Sequence, residues 1–377
     1  MVDHYKIIRP LLFMLPAETA HNLAVWALSK NLWPSKGLSD DMLRSKMLGQ
    51  RIFGLDFKNP VGLAAGFDKN AECLNALSGQ GFGFIEVGTV TPIPQAGNPK
   101  PRLFRIREKL AVVNRMGFNN KGIELYSQKL RLWKYSGFGQ REVLVGANIG
   151  KNKNSPNDSS DYLKCLEKVY GLCDYVVINI SSPNTPGLRD MQGKDELTKL
   201  ITDIKAKKKE IKTKYKGKMP ILIKISPDEN DERLEDIAKI VIKKKINGVI
   251  ISNTTTKTNL LGREVMEKKL AEKKLVGGIS GKPVFELSNQ VIERFYRFTG
   301  GKVRIIGVGG ISSAADAYTK IRKGASLVQV YSALIYEGFG LVSEINNGLV
   351  ELLKRDGFAN ISEAIGADVK LDDKITG

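Results

Sequence analysis

The sequence contains few of the residues that most often bind metals or carry acid–base chemistry. Its 377 residues include three cysteines, Cys73, Cys165 and Cys173, which form no Cys-x-x-Cys pair, and two histidines, His4 and His21. These counts exclude a zinc or iron–sulfur centre built by the protein, and they exclude a disulfide-rich scaffold. They also exclude a Ser-His-Asp triad from the body of the chain. We therefore expect no metal site.

Long apolar segments are also absent. The apolar run at residues 11–15 is far shorter than the roughly 20 residues that a membrane-spanning helix needs. No small-residue cleavage site follows a long apolar region, and the segment lacks the Arg and Ser richness of a transit peptide. The sequence predicts a chain that keeps its N-terminus and does not cross a membrane.

Acidic residues are outnumbered by basic ones. Lys and Arg total 59 against 40 Asp and Glu, which gives a net charge of +19 and an isoelectric point near 9.6. This excess favours an acidic partner, such as nucleic acid, anionic lipid or a phosphorylated ligand. Many lysines occur in blocks, such as residues 207–209 and 243–245, which are typical of solvated helix faces. We therefore expect no nucleic-acid partner.

The N-terminal segment predicts two short helices, at residues 3–15 and 17–30, separated at Pro16. Apolar residues cover most of both helices, and Lys6, Arg9 and Lys30 flank them. This pattern is typical of helices that lie at a membrane interface. A helical hairpin packed against the main domain fits the same pattern.

Eight apolar, strand-like runs recur from residue 61 onward, and most are followed by a segment with helical spacing. The runs cover residues 61–66, 84–90, 143–150, 175–182, 221–227, 248–255, 303–310 and 327–334. Runs that are apolar on both faces are typical of parallel sheets. The pattern predicts an α/β fold, a (β/α)8 TIM barrel, with a doubly wound sheet as the alternative. The connection between the second and third runs predicts a short antiparallel insert over the barrel mouth, and residues 257–281 are expected to cover the same face.

Polar side chains occur where these runs end, which is where TIM barrels carry their active sites. The GVGG motif at residues 307–310 closes the seventh run, at a place where many barrels hold a phosphate, although alone it is also typical of a tight turn. Lys224 lies inside an apolar run, so its ammonium requires an anionic or electron-rich partner. An isoalloxazine ring that becomes anionic on reduction would supply one.

Short motifs follow one another along almost the whole chain: NPVGLAAGFDKN, GFIEVGTVTP, KPRLFR, NRMGFNN, NIGKNK, INISSPNTPGLR, IKISPD, SNTT, GGISGKP, IIGVGGI and LVQVYSALIYEG. In these motifs, and in their order, the sequence resembles the dihydroorotate dehydrogenases of the membrane-associated, quinone-reducing class. The resemblance implies FMN-dependent oxidation of (S)-dihydroorotate to orotate, the redox step of pyrimidine (UMP) biosynthesis, with a membrane quinone as electron acceptor.

The resemblance also implies which residues bind the cofactor and the substrate. The implied FMN contacts are Ala65, Gly66, Phe67, Asp68, Lys69, Thr89, Asn148, Asn179, Lys224, Ser252, Gly281, Gly310, Tyr331 and Ser332. The implied substrate contacts are Lys69, Asn114, Arg115, Met116, Gly117, Phe118, Asn179, Asn184, Asn253 and Thr254. Dihydroorotate carries a carboxylate and imide groups, which lysine and asparagine side chains can pair at the same time.

Oxidation of dihydroorotate removes a proton from C5 and a hydride from C6, so a base is required opposite the flavin. By resemblance Ser182 is that base, at a position where the soluble classes have cysteine. Serine is a poor base and must relay its proton, and the resemblance implies a route through Thr185 and a water beside Phe118. Taken alone, Ser182 before Pro183 is also typical of a turn.

The resemblance further implies that residues 1–45 form a membrane-associating quinone entrance and that residues 46–377 form the FMN-binding barrel. His21, Arg105 and Tyr331 match the positions that approach the quinone. We expect a peripheral protein on the cytoplasmic face of a bacterial inner membrane. The alternatives are a soluble fumarate- or NAD-linked dihydroorotate dehydrogenase, a flavin barrel that acts on tRNA uridine, and a basic barrel without enzymatic activity.

Overall fold

The computed structural model describes residues 4–33, 46–136, 143–156, 158–213, 219–265, 267 and 277–371. The helices in these ranges are α1 (His4–Met14), α2 (Ala17–Ser29), α3 (Leu74–Ser78), α4 (Ile123–Tyr135), α5 (Ser160–Val169), α6 (Lys194–Lys212), α7 (Asp231–Lys243), α8 (Phe285–Phe298), α9 (Ala314–Arg322), α10 (Ser332–Glu337) and α11 (Gly340–Asp356). The strands are β1 (Gln50–Ile52), β2 (Leu55–Phe57), β3 (Val61–Leu63), β4 (Phe84–Val90), β5 (Leu103–Ile106), β6 (Ala111–Asn114), β7 (Leu144–Ile149), β8 (Tyr175–Asn179), β9 (Ile221–Ile225), β10 (Gly248–Ile251), β11 (Gly278–Gly281), β12 (Arg304–Val308) and β13 (Leu327–Val330).

Eight parallel strands close into a barrel in the order β3-β4-β7-β8-β9-β10-β12-β13, and β13 pairs with β3 to complete it. The predicted TIM barrel is therefore confirmed, and each predicted run contains one barrel strand. Most strands end before the predicted run does. The run at residues 248–255, for example, holds β10, which ends at Ile251. The polar residues beyond such ends leave the sheet and form the loops of the barrel mouth.

Apolar residues fill the barrel from its amino-terminal end. The bottom layer packs Phe84, Tyr175, Leu222 and Ile250 together, and Phe57 of the β1–β2 hairpin closes it. Outside the barrel, amphipathic helices cover the strands. Because apolar residues recur at helical spacing, α7 buries Leu234, Ile237, Ala238 and Val241 on one face and exposes its charges on the other. This packing leaves the opposite, carboxyl end of the barrel free for polar side chains.

A three-stranded antiparallel sheet roofs the carboxyl end of the barrel. Strands β5 and β6 form a hairpin in the connection between β4 and β7, as the sequence predicts. Strand β11, from the second long connection, pairs with the other edge of β6, so that Gly278 lies opposite Asn114. Strands from the two inserts that were expected to share one face thus form a single sheet.

Helices α1 and α2 match the two helices predicted for the N-terminal segment, with Pro16 between them. They expose large apolar side chains: Ile7, Leu11 and Met14 on α1, and Leu23 and Trp26 on α2. None of the helices in the described ranges is long and apolar enough to cross a membrane. The expected domain boundary between residues 45 and 46 adjoins residues 34–45, which lie outside the described residues.

Candidate active site

A cavity of about 280 Å³ lies at the carboxyl ends of the barrel strands, below the three-stranded roof. Its inner wall is polar and includes Lys224, Asn179 and Asn253. The cavity continues outward between α1 and α2, where apolar side chains such as Leu12 and Leu28 line it. One space therefore joins the strand ends of the barrel to the N-terminal helices.

Most of the residues that the sequence singled out lie on this cavity. The cavity brings together His21, Ala65, Gly66, Phe67, Lys69, Thr89, Arg105, Asn114, Met116, Gly117, Phe118, Asn179, Ser182, Asn184, Lys224, Ser252, Asn253, Thr254, Gly281, Gly310, Tyr331 and Ser332. Four others, Asp68, Arg115, Asn148 and Thr185, are not part of its lining.

Those four residues make other contacts or are buried away from the lining. The Asp68 carboxylate accepts the backbone N–H groups of Glu72 (2.9 Å) and Cys73 (2.8 Å), and burial raises its pKa. The Arg115 guanidinium donates to the Pro101 carbonyl oxygen at 2.9 Å, which directs it away from the cavity. Asn148 and Thr185 are buried behind the wall. Their implied contacts with cofactor or substrate stay predictions.

A hydrogen-bonded network that the sequence did not predict lies at the base of the cavity. The carboxylate of Glu86, on β4, is fully buried and accepts Asn148 Nδ2 (2.7 Å) and Gln329 Nε2 (2.7 Å). The network continues from Asn148 Oδ1 to Thr89 Oγ1 (2.6 Å), and from Thr89 Oγ1 to Asn179 Nδ2 (2.9 Å). A charged or amide residue inside a run that is apolar on both faces is the feature that could have identified Glu86 and Gln329.

Lys224 projects from β9 into this network region and is 5% exposed. Burial lowers the pKa of its ammonium, and the buried carboxylate of Glu86 acts in the opposite direction. Within the described ranges, no residue accepts a hydrogen bond from Lys224 Nζ, although the group lines the cavity. The side-chain oxygen Oε1 of Gln329 is also buried without a partner among these residues. The wall thus presents an unmatched donor and an unmatched acceptor to whatever fills the cavity.

Two glycines allow backbone to form the opposite wall. Gly310, after β12, has a φ of +74°, and a Cβ there would lie 2.7 Å from the Cα of Phe285. Gly281, at the end of β11, has a φ of +96°, and a Cβ there would lie 2.4 Å from the Leu110 carbonyl oxygen. No other residue fits either position without displacing backbone. The hydroxyl of Ser332 lies beside them and donates to Ser280 Oγ at 2.8 Å.

The remaining polar groups of the lining include three amides and Lys69. Asn184 Nδ2 donates to the Asn114 carbonyl oxygen at 3.1 Å, and Asn253 Nδ2 donates to Ser181 Oγ at 3.0 Å. Lys69 Nζ donates to the Gly66 carbonyl oxygen at 2.8 Å, and burial lowers the pKa of this ammonium to about 8. Lys69 and several amides therefore surround the same space.

Ser182 and Phe118 lie on this side of the cavity. Ser182 is 6% exposed, and its Oγ accepts the backbone N–H of Asn184 at 3.3 Å. Phe118 has a φ of +52°, which is unusual for a residue with a side chain. Hydrogen bonds from Asn120 Nδ2 (2.7 Å) and Gln95 Nε2 (3.1 Å) to the Phe118 carbonyl oxygen hold this conformation. The backbone that carries the Phe118 ring is thus fixed at the cavity edge.

The outer part of the cavity contains the three residues expected near a quinone. The His21 ring meets the Phe67 ring edge-to-face at 5.5 Å, and burial together with the charge of Lys69 lowers the His21 pKa to about 3. The imidazole is therefore neutral at physiological pH. Tyr331 Oη donates to the Gly66 carbonyl oxygen at 3.2 Å.

Arg105 has a second role that the sequence did not predict. Its guanidinium donates to the Leu12 carbonyl oxygen (3.2 Å) and to that of Leu15, and it lies 4.5 Å above the Phe13 ring. Because the last carbonyl groups of a helix have no partner within it, these bonds cap the carboxyl end of α1.

Comparison with known proteins gives concordant matches. The profile of a family described as dihydroorotate dehydrogenase matches residues 47–353. A protein of Parvibaculum lavamentivorans named dihydroorotate dehydrogenase (quinone) is 45% identical over 370 residues, which is 98% of this chain and 100% of the relative. A mitochondrial protein of that name from Oryza sativa is 43% identical over 394 residues, which is 97% of this chain and 80% of the relative. The crystal structure of DHODH from Eimeria tenella in complex with ferulenol has a TM-score of 0.84 and 38% identity, and the match covers 93% of this chain and 95% of that chain.

Proposed function

Because this chain belongs to the dihydroorotate dehydrogenase family, in its quinone-linked type, we propose that it uses FMN to oxidise (S)-dihydroorotate to orotate and passes the electrons to a membrane quinone. The chain is an oxidoreductase of pyrimidine biosynthesis. The main support for the proposal is that a single cavity is polar at the barrel strands and apolar at the N-terminal helices. Such a cavity can bind a polar substrate at one end and an apolar acceptor at the other.

The inner wall fits a flavin. Lys224 Nζ and Gln329 Oε1 are an unmatched donor and an unmatched acceptor, and a flavin ring offers both C=O and N–H edges. Backbone at Gly281 and Gly310 comes close to the cavity, as a phosphate group requires. When bound, FMN would accept the hydride from C6 of the substrate at its N5. The protein residues bind and orient the two reactants.

Lys69 and the amides bind the substrate. The Lys69 ammonium pairs with the carboxylate of dihydroorotate, and Asn114, Asn184 and Asn253 bond its amide and imide groups. Because the pKa of Lys69 is lowered to about 8, its positive charge is present below pH 8 and is lost above it. Affinity for dihydroorotate should accordingly fall as the pH rises through 8.

Ser182 removes the proton from C5. Its Oγ lines the cavity and is shielded from solvent, so the proton must leave along a route inside the protein. The buried Thr185, three residues further along the chain, is the next hydroxyl on the proposed route, and the Phe118 ring closes the cavity beside it. This arrangement lets a weakly basic hydroxyl pass its proton onward.

The helices α1 and α2 receive the quinone. Their apolar residues line the outer cavity, where His21, Arg105 and Tyr331 lie. The neutral His21 imidazole and the Arg105 guanidinium can bond the quinone oxygens. The exposed apolar residues of both helices contact lipid, which gives a peripheral position that we assign to the cytoplasmic face of a bacterial inner membrane.

Anaerobic titration tests the proposed reaction. The purified protein should show the visible absorption of FMN, and dihydroorotate added without oxygen should bleach it while orotate forms. A ubiquinone analogue added next should restore the colour. A colourless protein, or a yellow protein that dihydroorotate does not bleach, would contradict the proposal.

A double substitution on α1 tests membrane contact. Leu11 and Met14 are 67% and 81% exposed, so Leu11→Glu/Met14→Glu should leave the fold intact and lower binding to anionic vesicles at least about tenfold. Sedimentation with vesicles measures the change. The matched control is Leu132→Glu/Tyr135→Glu on α4, whose residues are 65% and 72% exposed. Equal loss in both variants would mean that the effect comes from net charge and that α1 does not bind the membrane.

A further inference from the structure

Helix α2 makes a buried ion pair with the segment that supports the substrate side of the cavity. Glu18 lies in the first turn of α2, and its Oε1 is 2.8 Å from Nη2 of Arg102. Arg102 Nε lies 3.2 Å from both carboxylate oxygens. The side chains are only 12% and 6% exposed. Although burial opposes it, the hydrogen bonds and charge of Arg102 hold the pKa of Glu18 below its usual value.

Arg102 also contacts the loop that precedes it in the chain. Its Nη1 donates to the carbonyl oxygens of Ala96 (2.6 Å) and Asn98 (2.8 Å), while its own carbonyl oxygen accepts the backbone N–H of Arg115 (2.9 Å). One guanidinium thus bonds helix α2 on one side and the loop at residues 96–98 on the other. The same residue belongs to the segment that leads into the roof.

Asn98 completes the path to the substrate residues. Its Nδ2 donates to the carbonyl oxygens of Arg115 (3.0 Å) and Asn184 (3.3 Å), and its backbone N–H donates to Met116 (3.0 Å). Gly117 packs so closely on Asn98 that a Cβ there would lie 2.9 Å from its side chain. Every link from Glu18 to the cavity wall is therefore a direct contact.

We propose that Glu18 is a positioning residue for dihydroorotate, which holds the loop at residues 115–118 and Asn184 in place through Arg102 and Asn98. The inference rests on the proposed function and extends it. The substrate contacts implied by the resemblance include no residue that precedes Lys69 in the chain, and Glu18 would add one that acts through other residues. Helix α2 thus serves both half-reactions: its His21 face borders the outer cavity, and its Glu18 end supports the substrate loop.

Glu18 also acts on the charge of Lys69. The charged groups that act on Lys69 are Glu18 and Asp68, which favour the ammonium, and Arg102, which opposes it, while the neighbouring His21 is neutral. Removal of the Glu18 charge should therefore lower the pKa of Lys69 below its value of about 8. Substrate affinity would then begin to fall at a lower pH than in the natural protein.

The test is anaerobic rapid mixing of holoenzyme with dihydroorotate at several pH values. In Glu18→Gln the dissociation constant of dihydroorotate should rise about fivefold at pH 7, with the flavin content unchanged. The alkaline fall in affinity should shift to lower pH, and Glu18→Asp should restore part of both effects. The control is Lys100→Gln, which removes an exposed ammonium 3.7 Å from the same carboxylate and should behave as the natural protein does.

Two results separate this inference from the proposed function. If dihydroorotate fails to bleach the natural protein, the proposed function is wrong. If dihydroorotate bleaches the natural protein, and Glu18→Gln has the same affinity and pH profile as the natural protein, Glu18 has no positioning role. If Glu18→Gln does not retain flavin, Glu18→Asp decides: an unchanged dissociation constant overturns the inference and a raised one supports it.

Discussion

Replacement of Ser182 by alanine should slow the reduction of bound flavin by dihydroorotate at least about a hundredfold, because the hydroxyl proposed as the base is then absent. The fold and the flavin content should be preserved. The Oγ of Ser182 accepts one hydrogen bond, from the backbone of Asn184, so little structure depends on it. Stopped-flow absorbance under anaerobic conditions measures the rate, and a rate near that of the natural protein would exclude Ser182 as the base.

A matched serine controls for general effects of the substitution. Ser226 is fully buried just after β9, and its Oγ accepts the backbone N–H of Asp228 at 3.1 Å without lining the cavity. In the Ser226→Ala variant, dihydroorotate should reduce the bound flavin at the same rate as in the natural protein. Ser182→Cys should regain part of the lost rate, with an increase toward alkaline pH as the thiol ionises. An equal loss in Ser182→Ala and Ser226→Ala would indicate damage to the barrel instead of loss of a base.

Replacement of Lys224 by methionine should weaken FMN binding by about tenfold to a hundredfold. The ammonium is buried without a hydrogen-bond acceptor among the described residues, so its acceptor must be what the cavity binds. Methionine has a similar length and fills the same space without the charge. Fluorescence of FMN released on dilution measures the change, and full, tightly held flavin in the variant would contradict the role.

The control for this substitution is another buried lysine. Lys151 is 2% exposed and donates to the Ser155 carbonyl oxygen at 3.1 Å, but it does not line the cavity. Lys151→Met should lower the unfolding temperature and leave the flavin content of folded protein unchanged. Flavin loss in both variants would show that any buried lysine supports the barrel in this way.

The barrel could be predicted from the sequence because each strand is marked by a pattern within its own short segment. The eight runs are mostly apolar on both faces and have polar or glycine residues toward their carboxyl ends, and the physical cause of both features is the same. A strand inside a barrel is covered by helices on one side and by core on the other, and only its carboxyl end meets the cavity. The positions of Lys224 and Gly310 could be inferred for this reason.

The contacts between distant segments could not be predicted in the same way. Glu18 and Arg102 are 84 residues apart in the chain, and each looks like an ordinary surface charge in its own segment. The sequence predicts Arg105 only as a residue near the quinone, yet its hydrogen bonds to the carbonyl oxygens of Leu12 and Leu15 also cap helix α1. Partners of this kind depend on how the roof and the N-terminal helices pack, which no local pattern specifies.

The roof also determines when during biosynthesis the cavity can be completed. Strand β6 is made early, but its partner β11 follows much later, so that Asn114 and Gly278 are 164 residues apart. At typical rates of translation, the ribosome needs roughly ten to thirty seconds to add that length of chain. Barrel closure waits longer still, because β3 pairs with β13. A nascent chain therefore has no enclosed site for its cofactor until most of the polypeptide has emerged, and cofactor capture is one of the last steps of its maturation.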